Sequence, residues 1–226
     1  ILGREEREEI DFAKLIYPPM QVADIFIQNV NLAHAGLDQR KAHVIARDVA
    51  LQLKVSLLFN KKKERIKPVA AHHHLILGLQ KPAIWPVPRE QIQELWTSMK
   101  MSKSIPDSAI FITDSPDEIR RKLNKAFCPE KEVEFNPVLD WAKYLIFKDF
   151  KSKLKVKRSS KFGGDIIYDF YANLEKDFAD GRLHPMDLKN AVAEALIELL
   201  EPARRHFEQS KMRKMKEEME RLIAAR

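Results

Sequence analysis

The order of local sequence patterns along the chain constrains its fold more than any other feature. The first half alternates helical and strand-like segments, which is typical of a parallel sheet covered by helices. The expected segments are helices over 5–15, 17–26 and 38–53 and strands over 31–35 and 69–79. Pro18 and Pro19 are placed in the first turn of the second helix. The sequence therefore predicts an α/β region over residues 1–113.

Helical patterns dominate the remaining residues, 114–226. Ser115 can cap a helix, Pro116 fits its first turn, and Glu118 completes a capping box. Helices are expected there over 116–127, 137–147, 171–179, 185–200 and 204–225, and the first region ends with a short expected helix over 89–97 and an expected strand over 109–113. Pro202 is expected to end or kink the helix that contains it. The prediction is an all-helical second region.

Positive charge is concentrated in one part of the chain. Forty Lys and Arg residues oppose 33 Asp and Glu residues, which gives a formal net charge of +7. The segment 148–161 alone holds seven Lys or Arg residues and one acid, Asp149. Such a cluster fits a polyanionic partner, although a solvated loop has the same composition. Cys128 is the only cysteine, which excludes a disulfide framework and fits a reducing compartment. No apolar run approaches the length of a membrane span.

The most specific motif is Lys100-Met101-Ser102-Lys103-Ser104. Two ammonium groups and two hydroxyls on a short loop could neutralise the charge that develops on a triphosphate as pyrophosphate leaves. The alternative is a chance basic loop.

A second group of candidates lies on one predicted helix. Tyr17, Gln21 and Asp24 are spaced i, i+4 and i+7, which places a phenol, an amide and a carboxylate on one face. A polar stripe that faces solvent has the same spacing, so the pattern alone leaves both interpretations open.

A third group follows the first predicted strand. Gly36 at a strand end allows close approach of the backbone to a ligand, and the N–H groups of the next helix can bind an anion. Asp38 and Gln39 come directly after it. Alone, this short string is weak support for a site.

Two strings in the helical half suggest contact with single-stranded RNA. Phe162 stands beside two glycines, and His184 lies three residues before Asp187. An exposed aromatic ring can stack on a splayed base, and a carboxylate can read a base edge. Alternatively, Phe162 belongs to the core and His184 only caps the helix that begins at Pro185.

Together these strings resemble the class I aminoacyl-tRNA synthetases, and among them the tyrosyl-tRNA synthetases of archaeal and eukaryotic type. The Lys-Met-Ser-Lys-Ser segment resembles the signature loop of the class, and residues 17–24 resemble the tyrosine-binding helix. The resemblance runs from about Tyr17 to Pro202. It implies the second half of a Rossmann-like parallel-sheet catalytic domain over 1–113, followed by an all-helical anticodon-binding domain over 114–226.

The resemblance also implies how ATP and tyrosine are bound. Lys100 and Lys103 would be the catalytic contacts to the ATP phosphates, with Mg²⁺ carried by ATP. The implied ATP-binding residues are Gly36, Asp38, Lys100, Met101, Ser102, Lys103 and Ser104. The residues implied to bind tyrosine, with Asp24 reading the phenol and the others near the amino end, are Tyr17, Gln21, Asp24 and Gln39.

The second half of the resemblance concerns tRNA(Tyr). Phe162, His184 and Asp187 would surround the first anticodon base, a guanine, and the basic run 148–161 would contact phosphates of the anticodon stem. The intact enzyme would be a cytoplasmic homodimer that joins tyrosine to tRNA(Tyr) through a tyrosyl-adenylate.

One signature of the class is absent from this sequence. A His-x-Gly-His string would follow the first strand of the catalytic domain, whereas the similar string that begins at His34 ends in Leu37. We therefore expect the N-terminal half of the catalytic domain to be missing. A tryptophanyl enzyme and a catalytically inactive tRNA-binding fragment remain as alternatives. The run 72–74 is three histidines, but no Asp, Glu or Cys stands nearby to complete a metal site, and none is predicted.

Overall fold

The computed structural model describes residues 12–102 and 104–224 of the chain. They fall into two compact units, Ile1–Leu75 and Ile76–Arg226, which are described separately. This boundary lies before residue 113 because Leu77 already belongs to the second unit. Its N–H donates to the Asp140 carboxylate at 3.0 Å, and its carbonyl accepts from Trp141 Nε1 at 2.7 Å. The division at 113 separates proposed functions rather than compact bodies, and it stays a prediction.

The first unit contains a parallel pair of strands with helices. Its elements are α1 (Phe12–Ile27), β1 (Leu32–Gly36), a 3₁₀ turn (Leu37–Gln39), α2 (Arg40–Val49) and β2 (Val69–His73). β1 and β2 pair in parallel, with Leu32 opposite Val69 and Gly36 opposite His73. The α/β class with a parallel sheet is therefore confirmed for this part of the chain. Residues 5–11 of the first expected helix lie outside the described residues.

Two details of this unit differ from the sequence prediction. Pro18 and Pro19 lie inside α1 instead of starting a helix, so the helix lacks two of its backbone donors there. Asn29, at a φ of 53°, follows the end of α1. On α2, whose helical pattern would bury its apolar side chains, Ile45 is 39% exposed, whereas His43 is buried.

The second unit is mostly helical. Its elements are a 3₁₀ turn (Arg89–Gln91), α3 (Ile92–Ser98), a 3₁₀ turn (Pro106–Ser108), α4 (Pro116–Lys125), α5 (Pro137–Trp141) continued by a π-helical turn (Ala142–Ile146), β3 (Leu154–Val156), a 3₁₀ turn (Ser160–Phe162), β4 (Ile166–Tyr168), α6 (Tyr171–Ala179), α7 (Pro185–Glu208) and α8 (Ser210–Ala224). β3 and β4 form an antiparallel hairpin, with Leu154 opposite Tyr168. The expectation of an all-helical region is wrong at this hairpin. The alternating lysines of β3 had been interpreted as part of a basic loop.

The core of this unit forms between helices. Leu123 of α4, Phe178 of α6 and Leu188 of α7 are fully buried in one cluster. The predicted start of α4 is confirmed, since Ser115 Oγ accepts a hydrogen bond from the Glu118 N–H at 3.2 Å. None of the described helices is long and apolar enough to cross a membrane.

The expected strand over 109–113 does not form. The Phe111 N–H donates to the Asp114 carboxylate at 2.9 Å, and the Asp114 N–H donates back to the Phe111 carbonyl at 3.0 Å. This turn uses the backbone groups that a strand would need. The Asp114 carboxylate is itself held by Lys122 Nζ at 2.6 Å, with both side chains largely buried.

The long helix α7 also differs from its prediction. It passes through Pro202 and ends at Glu208, so the break before α8 lies at Gln209. A proline lacks the donor for the preceding turn. The Arg204 guanidinium donates to the Ile197 carbonyl in that same part of the helix, which is not the Glu198 carbonyl that an N–H at position 202 would bond. The helix does not end at Pro202, although an end was one of the two outcomes expected there.

Candidate functional site

Gln21 and Gln39, both predicted to bind an amino acid, meet in the first unit. Gln21 lies on α1, and Gln39 ends the turn that follows β1. Gln21 Nε2 donates a hydrogen bond to Gln39 Oε1 over 2.5 Å, and the contact is partly buried. Gln21 Oε1 can still accept from an ammonium group, and Gln39 Nε2 can still donate to a carboxylate. The pair therefore has the polarity needed at the α-carbon of an amino acid.

Tyr17 and Asp24 lie on the same helix as Gln21. α1 is continuous across these positions, so the i, i+4, i+7 spacing does place them on one face. The Tyr17 side chain is 65% exposed and Asp24 is exposed. The neighbouring face of α1 carries the buried side chains Val22, Ile25 and Phe26. The helix thus separates a packing face from a polar face.

Gly36 ends β1 in a crowded corner. A Cβ placed on it would lie 2.7 Å from Asp38 Oδ1, 2.7 Å from Leu75 Cδ2 and 3.6 Å from His73 Nε2. Two of these neighbours are polar atoms at the carboxyl ends of parallel strands, where ligands bind in open α/β sheets. The corner brings together the predicted residues Gly36 and Asp38, and it adds His73, which was not among the predicted site residues.

The histidines of this unit form two side-chain pairs. His43 Nδ1 lies 3.0 Å from His72 Nε2, and His73 Nδ1 lies 3.2 Å from His34 Nε2. Burial, and secondarily the nearby His72, lowers the pKa of His43. Among the described residues no three His, Cys, Asp or Glu side chains are arranged to hold a metal ion. The His43 pair joins α2 to β2, which the helical pattern did not indicate.

The signature segment at 100–104 belongs to the second unit. Lys100 forms an isolated antiparallel bridge with Leu77, and the Gly78 N–H donates to the Met99 carbonyl at 2.5 Å. A Cβ on Gly78 would lie 2.9 Å from the Met99 carbonyl oxygen and 3.4 Å from that of Ser108. Only glycine permits this approach of the two backbones.

Hydroxyl groups fold this segment. Ser108 is buried, and its Oγ accepts from the Ser102 N–H at 3.0 Å and donates to the Ile105 carbonyl at 2.7 Å. The Ser104 N–H donates to Ser102 Oγ at 3.3 Å. Ser108 was not singled out from the sequence, because a serine outside the motif carries no signal of this role.

The first two side chains of the segment are exposed to solvent. Lys100 is exposed and Met101 is 38% exposed. Lys103, the second predicted catalytic lysine, lies outside the described residues. The 3₁₀ turn that follows the segment is tied to α4, since the Arg121 guanidinium pairs with Asp107 at 2.7 Å. This hydrogen bond raises the pKa of Arg121 and lowers that of Asp107, so the tie is ionic at neutral pH.

Phe162 lies on a loop between β3 and β4. It ends the short 3₁₀ turn Ser160–Phe162, which is capped by Ser159, whose Oγ accepts from the Lys161 N–H at 3.4 Å. Gly163 and Gly164 follow at φ values of 92° and 72°, in the left-handed region that favours glycine. The ring is 71% exposed. Phe162 is therefore not part of the core.

Arg158 joins this loop to the turn that carries His184. Its Nε donates to the Gly164 carbonyl and its Nη1 to the Arg182 carbonyl, both at 3.0 Å. Its own N–H donates to Asp165 Oδ1 at 3.1 Å. One side chain thus links the two strings that the sequence analysis grouped by resemblance. The sequence had placed Arg158 only in the basic run 148–161. It is the one arginine among the lysines of that run, and this difference could have indicated its separate role.

His184 caps α7, and Asp187 lies in the first turn of that helix. The Met186 N–H donates to His184 Nδ1 at 3.1 Å, so the capping interpretation is confirmed. His184 Nε2 lies 3.7 Å from Glu130 Oε1. The spacing of three residues puts His184 and Asp187 on one side of the helix start. Neither observation tests contact with RNA.

Known proteins resemble this chain in sequence and in fold. The sequence profile of the family described as tRNA synthetases class I (W and Y) matches residues 3–201. The chain is 62% identical to the Tyrosine--tRNA ligase of Thermococcus kodakarensis over 209 residues, which are 92% of this chain and 56% of that one. It therefore belongs to the class I tRNA synthetases of the tryptophan and tyrosine family.

Within that family the similarity is to the tyrosyl members. A crystal structure of tyrosyl-tRNA synthetase complexed with L-tyrosine from Pyrococcus horikoshii superimposes with a TM-score of 0.83 at 59% identity, over 92% of this chain and 56% of that one. The tryptophanyl-tRNA synthetase of Aeropyrum pernix gives 0.53 at 20% identity, over 85% and 46% of the chains, and shows the fold alone. The chain spans about half the length of the curated relatives it matches.

Proposed function

We propose that a full-length protein carrying this chain is a tyrosine--tRNA ligase. It would activate tyrosine with ATP and transfer it to tRNA(Tyr). The observation that supports this most is the 2.5 Å contact between Gln21 and Gln39, two amides predicted to bind the substrate's amino end, in a chain 62% identical to a tyrosine--tRNA ligase.

Activation joins the tyrosine carboxylate to the α-phosphorus of ATP and breaks the bond to pyrophosphate. Tyr17, Gln21 and Gln39 would hold the amino end of tyrosine, and Asp24 would accept a hydrogen bond from its phenol. An acceptor left unpaired by phenylalanine rejects that analogue roughly 10⁴- to 10⁵-fold. In the second step a ribose hydroxyl of tRNA attacks the carboxyl carbon and releases AMP.

The signature segment and the corner at Gly36 would bind the nucleotide. Lys100 and Lys103 would stabilise the charge that develops on the phosphates, and Met101, Ser102 and Ser104 would line the same loop. Gly36 and Asp38 would lie near the ribose of the adenylate. Mg²⁺ enters this proposal as part of the ATP substrate, held mainly by its phosphates, and no protein ligand set is assigned to it.

The tRNA partner would be recognised by the second half of the chain. Phe162 would stack on the first anticodon base, a guanine, while His184 and Asp187 would contact its edge. The exposure of Phe162 and the Arg158 link between the two loops support this assignment. The proposal includes the division into a catalytic half-domain (1–113) and an anticodon-binding domain (114–226), a homodimer, and a cytoplasmic location.

The test is amino-acid-dependent ATP–pyrophosphate exchange on a full-length protein that carries this chain. Tyrosine, tryptophan and phenylalanine are compared side by side. We expect exchange with tyrosine alone. Exchange with tryptophan would keep the family and overturn the role of Asp24. Exchange with none of them, together with tRNA binding that weakens with salt, would identify an inactive tRNA-binding protein.

A further inference from the structure

Phe150 is the most exposed large apolar side chain of the described residues. It is 99% exposed and lies in a turn of residues 148–153 that connects the π-helical turn to β3. We call residues 148–153 the lysine turn. Single exposed apolar residues are common on protein surfaces, so exposure alone assigns no role. The construction of the turn and the charges around it make Phe150 different.

The lysine turn is held by its own acid. Asp149 Oδ1 accepts from the Lys151 N–H at 2.9 Å and from Ser152 Oγ at 3.0 Å. The Ser152 N–H donates to the Asp149 carbonyl at 3.2 Å. These bonds, led by the one from Lys151, lower the pKa of Asp149. The only acid of the run 148–161 therefore fixes the turn that carries Phe150.

A row of three lysines extends from the lysine turn along β3. Lys153, Lys155 and Lys157 occupy alternate positions, and the residues between them, Leu154 and Val156, are buried. The three lysines thus lie on the outer face of the hairpin. Lys153 and Lys155 approach Asp169 and Asp165 at 2.8 and 3.5 Å, but exposed pairs of this kind are weak and exchange readily. At about 3.3 Å per residue the row spans roughly 13 Å.

An exposed aromatic ring lies beyond each end of the lysine row, Phe150 before Lys153 and Phe162 after Lys157. β3 leads away from the lysine turn and into the loop that carries Phe162, so the two exposed rings stand at opposite ends of the hairpin. A row of cations between two aromatic rings is the arrangement that binds a single nucleic-acid strand, with lysines along the backbone and rings under the bases.

We propose that the outer face of the hairpin is a track for single-stranded RNA. Lys153, Lys155 and Lys157 contact its phosphates, and Phe150 stacks on a base at the end opposite Phe162. This inference rests on the proposed function, since it takes the partner to be the same tRNA. It adds a second stacking site outside the three predicted anticodon residues.

The experiment measures binding of this chain to a tRNA transcript whose anticodon begins with guanine, by fluorescence anisotropy at fixed salt. Phe150→Ala is expected to weaken binding about 5- to 100-fold, the effect of losing one base stack. Phe150→Trp keeps the affinity and shows quenching of the new indole by the RNA. Phe59→Ala, at a 45% exposed phenylalanine of the first unit, is the matched control and leaves the affinity unchanged. Urea midpoints of the variants verify that each remains folded.

Three results would overturn the inference. If Phe162→Ala weakens binding while Phe150→Ala does not, the second stacking site is wrong and the proposed function stands. If Phe150→Ala reduces binding to anionic lipid vesicles but not to RNA, the turn is a membrane contact. If the unaltered chain binds no tRNA at all, the proposed anticodon domain fails together with the track.

Discussion

The proposed amino-acid site of the first unit and the proposed RNA site of the second unit are positioned in different ways. In the first, regular elements carry the candidate residues, and Gln21 and Gln39 touch each other directly. In the second, Phe162 and His184 lie on separate loops, and Arg158 connects those loops through two backbone carbonyls. Substitutions in the first site should therefore act by removing groups that would contact the substrate. Substitutions in the second should act by moving the loops that carry the candidate residues.

The largest expected effect is on substrate choice in the first site. Asp24→Ala removes the proposed acceptor for the phenol, so the roughly 10⁴- to 10⁵-fold preference for tyrosine over phenylalanine should disappear. The measurement is kcat/KM for both amino acids in ATP–pyrophosphate exchange with a full-length protein. Asp48→Ala, at an exposed carboxylate of α2, is the control. A retained preference would show that Asp24 does not read the phenol.

The next effect separates the second site from the first. Arg158→Ala removes two hydrogen bonds from a charged donor, and we expect tRNA affinity to fall about 10- to 100-fold as the loops lose their connection. Tyrosine-dependent exchange should not change. Arg89→Ala, at an exposed arginine outside both loops, controls for net charge. If Arg158→Ala binds tRNA normally, the loops are positioned by other contacts.

A smaller effect concerns the backbone under the signature segment. Gly78→Ala places a Cβ 2.9 Å from the Met99 carbonyl oxygen, which should lower the free energy of unfolding by about 1–3 kcal/mol. Urea denaturation measures it, and Gln80→Ala, at an exposed position nearby, should be near neutral. Equal stability of Gly78→Ala would mean that the two backbones can move apart freely.

The smallest effect is a pH dependence of the first unit. Burial lowers the pKa of His43 below its ordinary value of 6.5, so the unfolded chain binds this proton more readily than the folded one. The stabilisation is present above pH 6.5 and is lost as the pH falls through the lowered pKa. Thermal unfolding above and below pH 6.5 should show the loss, and His43→Gln should reduce it. An unchanged pH profile in the variant would exclude His43 as the source.

The same contrast explains which parts were predictable from the sequence. Periodicity identified the polar face of α1, the parallel pair β1–β2 and the bounds of α6, because each depends on residues close together in the chain. The residue types at the start of α4 identified Ser115 as a cap. The proximity of Gln21 to Gln39 came from the resemblance, since spacing alone cannot bring two elements together.

The remaining features depend on contacts that local patterns do not encode. Asp114 converts an expected strand into a turn by binding the Phe111 N–H. The hairpin β3–β4 was missed because the run 148–161 was interpreted by its charge alone, although its lysines alternate with Leu154 and Val156. The position of Arg158 required knowing which carbonyls lie within its reach.

The most direct test of the proposed substrate site is a double-mutant cycle on Gln21 and Gln39. In ATP–pyrophosphate exchange with a full-length protein, Gln21→Ala and Gln39→Ala should each raise the KM for tyrosine about 5- to 100-fold. The double variant should raise the KM for tyrosine more than either single variant does. The increase should be smaller than the product of the two single increases, because the amides act as one hydrogen-bonded pair. Single variants that leave the KM for tyrosine unchanged, or effects that multiply independently, would contradict the account.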